Sequence, residues 1–529
     1  MAATKKVRAP AKKERAPAEN VKARAPSKTA TSRRAAKATA PETSPSRARP
    51  VATELGLEPV GKGDGPVGAK LAPPLAAYLA SMPQRQDREV SVTDTPRGQV
   101  LVSLGEKGHE VSLLANGERI TWPVPSLYPI DYERGRVELD ARGRVLTAQR
   151  TERVVLALDP ASRAARVLYR GTTGARGPWE IAVCGDVLVL SSTDGLTLLV
   201  PHGERWVARS FLALRGFKQV VWDAETGVLV VCVGELAGGL HEVGVSGHRL
   251  ALGRSLESKA PLRYPELHAG RVFVRMGPSP RPRTVLEVAG LAAPRAPSDD
   301  VRARLTTLAD ARRVRGEPRL VPVEHAPPQR ESDPSIHQRM GLRDGELVVR
   351  DDVDRFTLLS RRGGEAREIA TTLRFPVVLD VDPSGERALV GADRGARDAQ
   401  VHELDLATGS LAPVTAFSHP MAVYAGDAIG TISQHGVWLV SRAGQILARE
   451  EFSRDLVFGG HAIQHATGPS PRGRLALIRM GDGRVTLAIF GGDAITLARD
   501  VAEHVADVWS HEGVIFAVID DVACRLEID

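Results

Sequence analysis

From about residue 89 onward, short runs of Val, Leu and Ile alternate with turns built from Gly, Asp and Arg, and almost no segment repeats its apolar residues at the helical period. Each strongest run is opened by a glycine: PRGQVLVSL (Gly98), ARGRVLTAQ (Gly143), CGDVLVLSS (Gly185), TGVLVVCVG (Gly227), AGRVFVRMG (Gly270), DGELVVRDD (Gly345), SGERALVGA (Gly385), AGDAIGTIS (Gly426), PRGRLALIR (Gly473) and EGVIFAVID (Gly513). Successive glycines stand 45, 42, 42, 43, 75, 40, 41, 47 and 40 residues apart. Apart from one long step, this is an internal repeat of the length used by blade-type β architectures.

The stretch from Gly185 reads VLVLSS, a turn at Thr193-Asp194-Gly195, LTLLV, a turn at His202-Gly203, RWVARSF, and KQVVW before the next glycine. The stretch from Gly385 reads ALVG, then QVHELDLATGSL with an Asp-x-x-Thr-Gly turn, then APVTAF and MAVYAG. Four strands joined by tight turns predict one antiparallel blade per unit. The unbroken run VLVVCV at 228–233 predicts a strand covered on both faces, as in blades stacked radially, where an open antiparallel sheet would alternate. The expectation is an all-β chain, a β-propeller of repeated four-stranded antiparallel blades. Ten units exceed the usual four to eight blades, which leaves partial units, one large ring or two smaller rings open. The last unit ends two strands after Gly513, so closure by N-terminal strands is expected.

The turns Asp382-Pro383-Ser384-Gly385, Ser470-Pro471-Arg472-Gly473 and Thr95-Pro96-Arg97-Gly98 each precede a strand. They resemble the Pro-x-Gly hairpins of the YVTN/WD40-like propeller superfamily, over about residues 89–529. Trp222-Asp223 is the only Trp-Asp pair, and no Gly-His partner stands ahead of it in its own repeat unit, so the resemblance implies architecture alone.

The long step carries an insertion at about residues 291–340. SDDVRARLTTLADARRVRG at 298–316 predicts a helix with Ser298 as N-cap, Asp299 and Asp300 in its first turn, and Val301, Leu305 and Leu308 on one face. Insertions in repeat arrays often form the binding face, and Arg302, Arg304, Arg312, Arg313 and Arg315 could offer a basic surface to a partner; the plainer alternative is a solvated helix covering a blade edge. Residues 51–88 read as a linker, and Leu75, Tyr78, Leu79 and Met82 predict a short amphipathic helix over 74–82 that packs on the body or docks a partner.

Charge changes the picture at the N-terminus. The chain is +7 overall, but residues 1–50 hold 14 Lys/Arg and three acids, so the remainder is −4. This Ala/Pro-rich segment has no aromatic residue and too little apolar surface to offset its conformational entropy, which predicts a disordered tail. Its composition resembles linker-histone-like basic tails, which implies sequence-independent contact with DNA or RNA phosphates through Lys5, Lys6, Arg8, Lys12, Lys13, Arg15, Lys22, Arg24, Lys28, Arg33, Arg34 and Lys37. A solubilising tail or one docking on an acidic protein is the alternative, and its prolines oppose an amphipathic transit helix. The opening MAATKKVRAP carries no apolar leader core and no run approaches 18 apolar residues, so no membrane association and a cytoplasmic location are expected.

Chemical signatures are few. Asp380-x-Asp382-x-Ser384-Gly385 begins like a calcium loop, but its twelfth position is Gly391, and a hairpin turn explains it better. His461 and His465 have zinc-ligand spacing without a helical pattern; Asp351, Asp352 and Asp354 form an acidic turn; Cys184 and Cys232 sit in apolar strands as small core residues. There is no nucleophile elbow, phosphate loop or dinucleotide fingerprint, so no catalytic residue, cofactor or metal is assigned. The function expected is a non-enzymatic scaffold for protein–protein interaction whose tail tethers it to nucleic acid. The alternatives are a propeller enzyme of hydrolase or lyase type acting at the channel mouth, and a nucleoid-associated DNA-binding protein.

Overall fold

The computed structural model describes residues 54–62 and, apart from short stretches between elements, 90–529. Among them are forty strands, β1–β40 in chain order, and one helix, α1 (Val301–Val314). The strands form ten four-stranded sheets, and every pairing is antiparallel between neighbours, as in a β-propeller. Eight sheets take four consecutive strands each: β2–β5, β6–β9, β10–β13, β14–β17, β22–β25, β26–β29, β30–β33 and β34–β37. The other two borrow a strand. Strands β18 (Leu262–His268), β19 (Arg271–Met276) and β20 (Thr284–Ala289) are completed by β1 (Gly56–Lys62), which pairs along β20. Strands β38 (Val505–His511), β39 (Val514–Ile519) and β40 (Val522–Glu527) are completed by β21 (Arg319–Pro322), which pairs along β40. In chain order the blades are therefore two sets of five. Each set takes the outer strand of its last blade from the segment just before its first blade.

This resolves the question of blade number and corrects two expectations. Closure by N-terminal strands does occur, but in blade 5, whereas blade 10 closes with a strand from within the insertion. The 75-residue step is thus the connection between two sets. The unit boundary also moves by one strand. KQVVW opens blade 4 as β14 (Lys218–Asp223), and MAVYA opens blade 8 as β30 (Met421–Ala425). The repeating glycine lies in the hairpin between the first two strands of its own blade, so the strand before it belongs with it.

That hairpin needs glycine for its backbone. Nine of the ten repeat glycines have positive φ, among them Gly426 at 64° and Gly473 at 130°. A Cβ on Gly426 would meet nothing within 4 Å, whereas one on Gly473 would lie 2.1 Å from the carbonyl oxygen of Phe490.

Two-sided burial follows from the stacking. Every residue of β15 (Val228–Val233) is buried: Leu229 and Val231 enter the core shared with blade 3, and Val228, Val230 and Cys232 the core shared with blade 5. Each such side chain contributes roughly 1.5–3 kcal/mol of transfer free energy. The outermost strand β33 (Ile446–Glu451) is by contrast almost wholly exposed. Polar side chains on innermost strands link consecutive blades. Glu180 accepts from the Val220 amide at 2.8 Å, and Gln219 from that of Tyr264 at 2.5 Å. In the second set Gln338 accepts from Val378 at 2.8 Å, Asp380 from Tyr424 at 2.9 Å and Gln464 from Val508 at 3.2 Å. Each bond stays within one set.

The two sets also touch. Strand β13 (Arg205–Ala213) of blade 3 packs on β38 and β39 of blade 10, placing Ala506 and Val518 in one core with Trp206, Ala208 and Phe211. The Asp521 amide donates to the Arg209 carbonyl at 2.8 Å, and the Arg479 guanidinium lies over the Phe211 ring, 4.7 Å from its centre.

Gly426→Ala should cost about 1 kcal/mol, the strain of a left-handed alanine. Gly473→Ala should cost about 3 kcal/mol or more, because it adds a carbonyl clash in a region nearly closed to side chains. Urea denaturation of the two variants checks the order.

Candidate functional site

At the hairpin end of the second set, blades 8 and 9, with Pro383 of blade 7, border an open hollow of about 690 Å³. Its apolar lining comes from Tyr424, Leu447, Pro469 and Phe490, and Arg472 and Arg474 contribute charge. Glycines at 426, 473, 491 and 492 leave backbone as part of its wall.

Behind this lining lies a charged hub. Asp380, fully buried on β26 (Pro376–Val381), takes the Tyr424 amide, the Thr467 hydroxyl at 3.0 Å and the Arg474 Nε at 3.2 Å, with a second, shorter contact from the same guanidinium. Thr467 stands on β34 (Ala462–Ser470) and Arg474 on β35 (Gly473–Met480), so one carboxylate of blade 7 holds both blade 8 and blade 9. A second cluster surrounds Glu403, which accepts from the Tyr424 hydroxyl at 3.1 Å and pairs with Arg387 at 3.1 Å and Arg442 at 3.3 Å. Arg442 also reaches Asp382 at 3.6 Å. Burial, and then the neighbouring Glu403, push the Tyr424 phenol far above its ordinary range, which keeps it protonated. Behind the wall, the carboxylates of Asp380 and Glu403 are engaged by guanidinium groups, a backbone amide and hydroxyls.

The acids of the calcium-like motif do separate work. Asp380 faces inward to Arg474, while Asp382 accepts from the Ser384 amide at 2.8 Å and closes the turn. This is the hairpin that the sequence favours, and the described residues hold no cluster of metal-ligating side chains. His465 is on β34, and His461, four residues before it, lies outside the described residues, as do Asp351, Asp352 and Asp354. The three cysteines are buried and unbridged. Burial pushes the Cys184 thiol well up and that of Cys524 up to about 12, so neither forms a thiolate near neutrality.

The helix of the insertion is present but differs in detail. Its N-cap is Asp300, whose side chain accepts from the Ala303 amide at 3.2 Å, in place of Ser298. The buried face is Val301, Leu305 and Ala309, and Leu308 is 46% exposed, because the helix lies on the core of blades 9 and 10 through positions four apart. Several of its arginines serve the fold. Arg302 donates to the Val323 carbonyl at 2.9 Å, Arg304 lies 3.6 Å from Asp520, Arg312 donates to the Asp500 carbonyl, and Arg315 is 3.9 Å from Glu317. Arg313 is exposed near Asp529. The helix thus clasps blade 10, covering a blade edge. The twelve tail cations and the helix expected over 74–82 lie outside the described residues.

The inner-strand clamps are the functional residues that the sequence reading missed. They stand at no fixed distance from the repeat glycine, so the only available signal was a polar residue inside an otherwise apolar strand.

No helix among the described residues is long and apolar enough to cross a membrane. No protein-family model matches the chain, and no curated protein matches it. A structure search matches a solved structure described as "Structure of Dos1 propeller", at 10% identity, over 74% of this chain and 90% of that one, with a TM-score of 0.26. The fold rests on the sheets themselves.

Asp380→Asn should destabilise the protein by about 3–5 kcal/mol, because it leaves the Arg474 guanidinium without its countercharge between blades. A urea midpoint shifted by less than a third of that would mean the hub is not coupled to folding.

Proposed function

We propose that the chain is a non-enzymatic β-propeller scaffold that holds a protein partner on its blade loops, with residues 1–50 tethering it to nucleic acid. The observation behind the scaffold reading is the hollow between blades 8 and 9. Behind it, the Asp380–Arg474 pair braces neighbouring blades against one another, which suits a surface that presents a fixed shape. Its phenol is held protonated by burial and by Glu403. The tether reading rests on the separation of charge along the chain, +11 in residues 1–50 against −4 in the rest. Such a segment binds phosphates by releasing counterions, whatever the base sequence. A cytoplasmic setting accords with three unbridged cysteines.

The test is fluorescence anisotropy with a random-sequence DNA duplex. It compares the full chain with a full-length variant in which the twelve tail cations from Lys5 to Lys37 are replaced by Gln. The full chain should bind, and with about six phosphate contacts log K should fall against log salt with a slope of about −5. The variant should lose most of that affinity and slope. Equal binding by both proteins, or binding by neither, would remove the tether from the account.

A further inference from the structure

The innermost strands of blades 7, 8 and 9 meet around a histidine that the scaffold reading does not use. His465 on β34 lies against the backbone of Leu379 on β26 and of Ala422 on β30, whose carbonyls can accept a proton from the ring. Its Nε2 is buried and has no hydrogen-bond partner among the described residues. Nδ1 is therefore the nitrogen that serves the carbonyls, and Nε2 is left as a bare lone pair. Two residues along the same strand, Thr467 bonds Asp380, which in turn holds Arg474 and the Tyr424 amide. One imidazole thus adjoins the hub that ties three blades together, and Arg474 and Tyr424 of that hub also line the hollow between blades 8 and 9.

We propose that His465 is an acid-sensitive latch on this hub: the neutral ring lets the three innermost strands close around Asp380, and a second proton on the ring forces them apart and loosens the wall of the adjoining hollow. A proton added at Nε2 would be a buried donor with no acceptor, and it would bring a positive charge beside Arg474. The charged groups facing the ring are Asp380 from β26, which favours the added proton, and Arg474 from β35, which opposes it; β30 presents the backbone of Ala422. Burial is the largest influence and holds the imidazole below its ordinary value. The opened state consequently binds more protons than the closed one. The latch is at full strength above the free histidine value of about 6.5 and weakens as pH falls from there toward the folded value.

The experiment is peptide-resolved hydrogen exchange on the full chain at pH 7.5, 6.5 and 5.5, corrected for intrinsic exchange, with His465→Gln as the non-titrating variant. In the wild type, protection over 376–381, 421–425 and 462–470 should fall between pH 7.5 and 5.5 by a factor approaching ten, the limit for one proton with a free value of about 6.5. Blade 2, whose strands hold no histidine, should hold steady, and the variant should show a flat profile at the hub. Unchanged hub protection in the wild type overturns the proposal, and so does the same loss in the variant. If His465→Gln does not fold, nitrogen NMR of histidine-labelled wild-type protein decides. A neutral ring with its proton on Nδ1 at pH 7.5, lost together with hub protection, supports the latch. A ring already charged at pH 7.5, or one that stays neutral while the hub opens, contradicts it.

Discussion

A sheet of three strands ends on an edge of unpaired amides and carbonyls, and the last blade of each set would end this way without a strand from elsewhere. Strand β1 supplies it to blade 5 and β21 to blade 10. In both cases the chain segment before the first blade is fastened to the last blade, so the two ends of a five-blade set are held together by a hydrogen-bonded ladder. The second ladder is reinforced by charge and packing. Arg319 on β21 bonds Asp529 at 2.7 Å and Glu527 at 3.1 Å, and Leu320 enters the core of blades 9 and 10 beneath the helix. The insertion is therefore part of the fold of the second set, and its arginines are engaged accordingly.

Within a set, apolar stacking alone would let neighbouring blades slide, because Val and Leu side chains pack in many registers. The inner-strand carboxamides and carboxylates remove that freedom: each satisfies a backbone amide of the next blade, and Gln338 and Gln464 also donate to the carbonyl of the same residue. Asp380 reaches two blades at once, the Tyr424 amide of blade 8 and the Thr467 hydroxyl of blade 9, and Arg474 supplies its countercharge. The hollow, the latch and the hub are thus adjoining parts of one arrangement, in which a change of charge at the centre is felt at the surface.

The fold was legible because the hairpin between the first two strands of a blade favours a left-handed residue, and glycine meets that need in nine of ten hairpins, at nearly constant spacing apart from one long step. The unit boundary was not, because KQVVW and VLVVCV are equally apolar and nothing local separates a turn within a blade from a loop between blades. Strand β1 was hidden in a segment read as a linker: GLEPVGK, with its two glycines and a proline, carries no β pattern and becomes a strand only by pairing with β20. The hub was illegible for a related reason. Asp380 and Arg474 are 94 residues apart, and Asp380 looks like one half of a calcium motif until its bonds to blades 8 and 9 are seen. Leu308 was misplaced because a helix lying on a flat blade edge buries positions four apart, and the three-residue step turns outward.

The central claim is that the ten blades form two sets, each closed by its own borrowed strand. Paired cysteines test it most directly, since directly opposed residues in an antiparallel ladder stand within disulfide reach. Gly56 faces Ala289, and Val321 faces Arg525. Mild oxidation should cross-link Gly56→Cys with Ala289→Cys, and Val321→Cys with Arg525→Cys, while Gly56→Cys with Arg525→Cys stays reduced. Efficient cross-linking of that last pair, with failure of the first two, would mean that the N-terminal strand closes a single ring of ten blades, and the two-set account would be wrong.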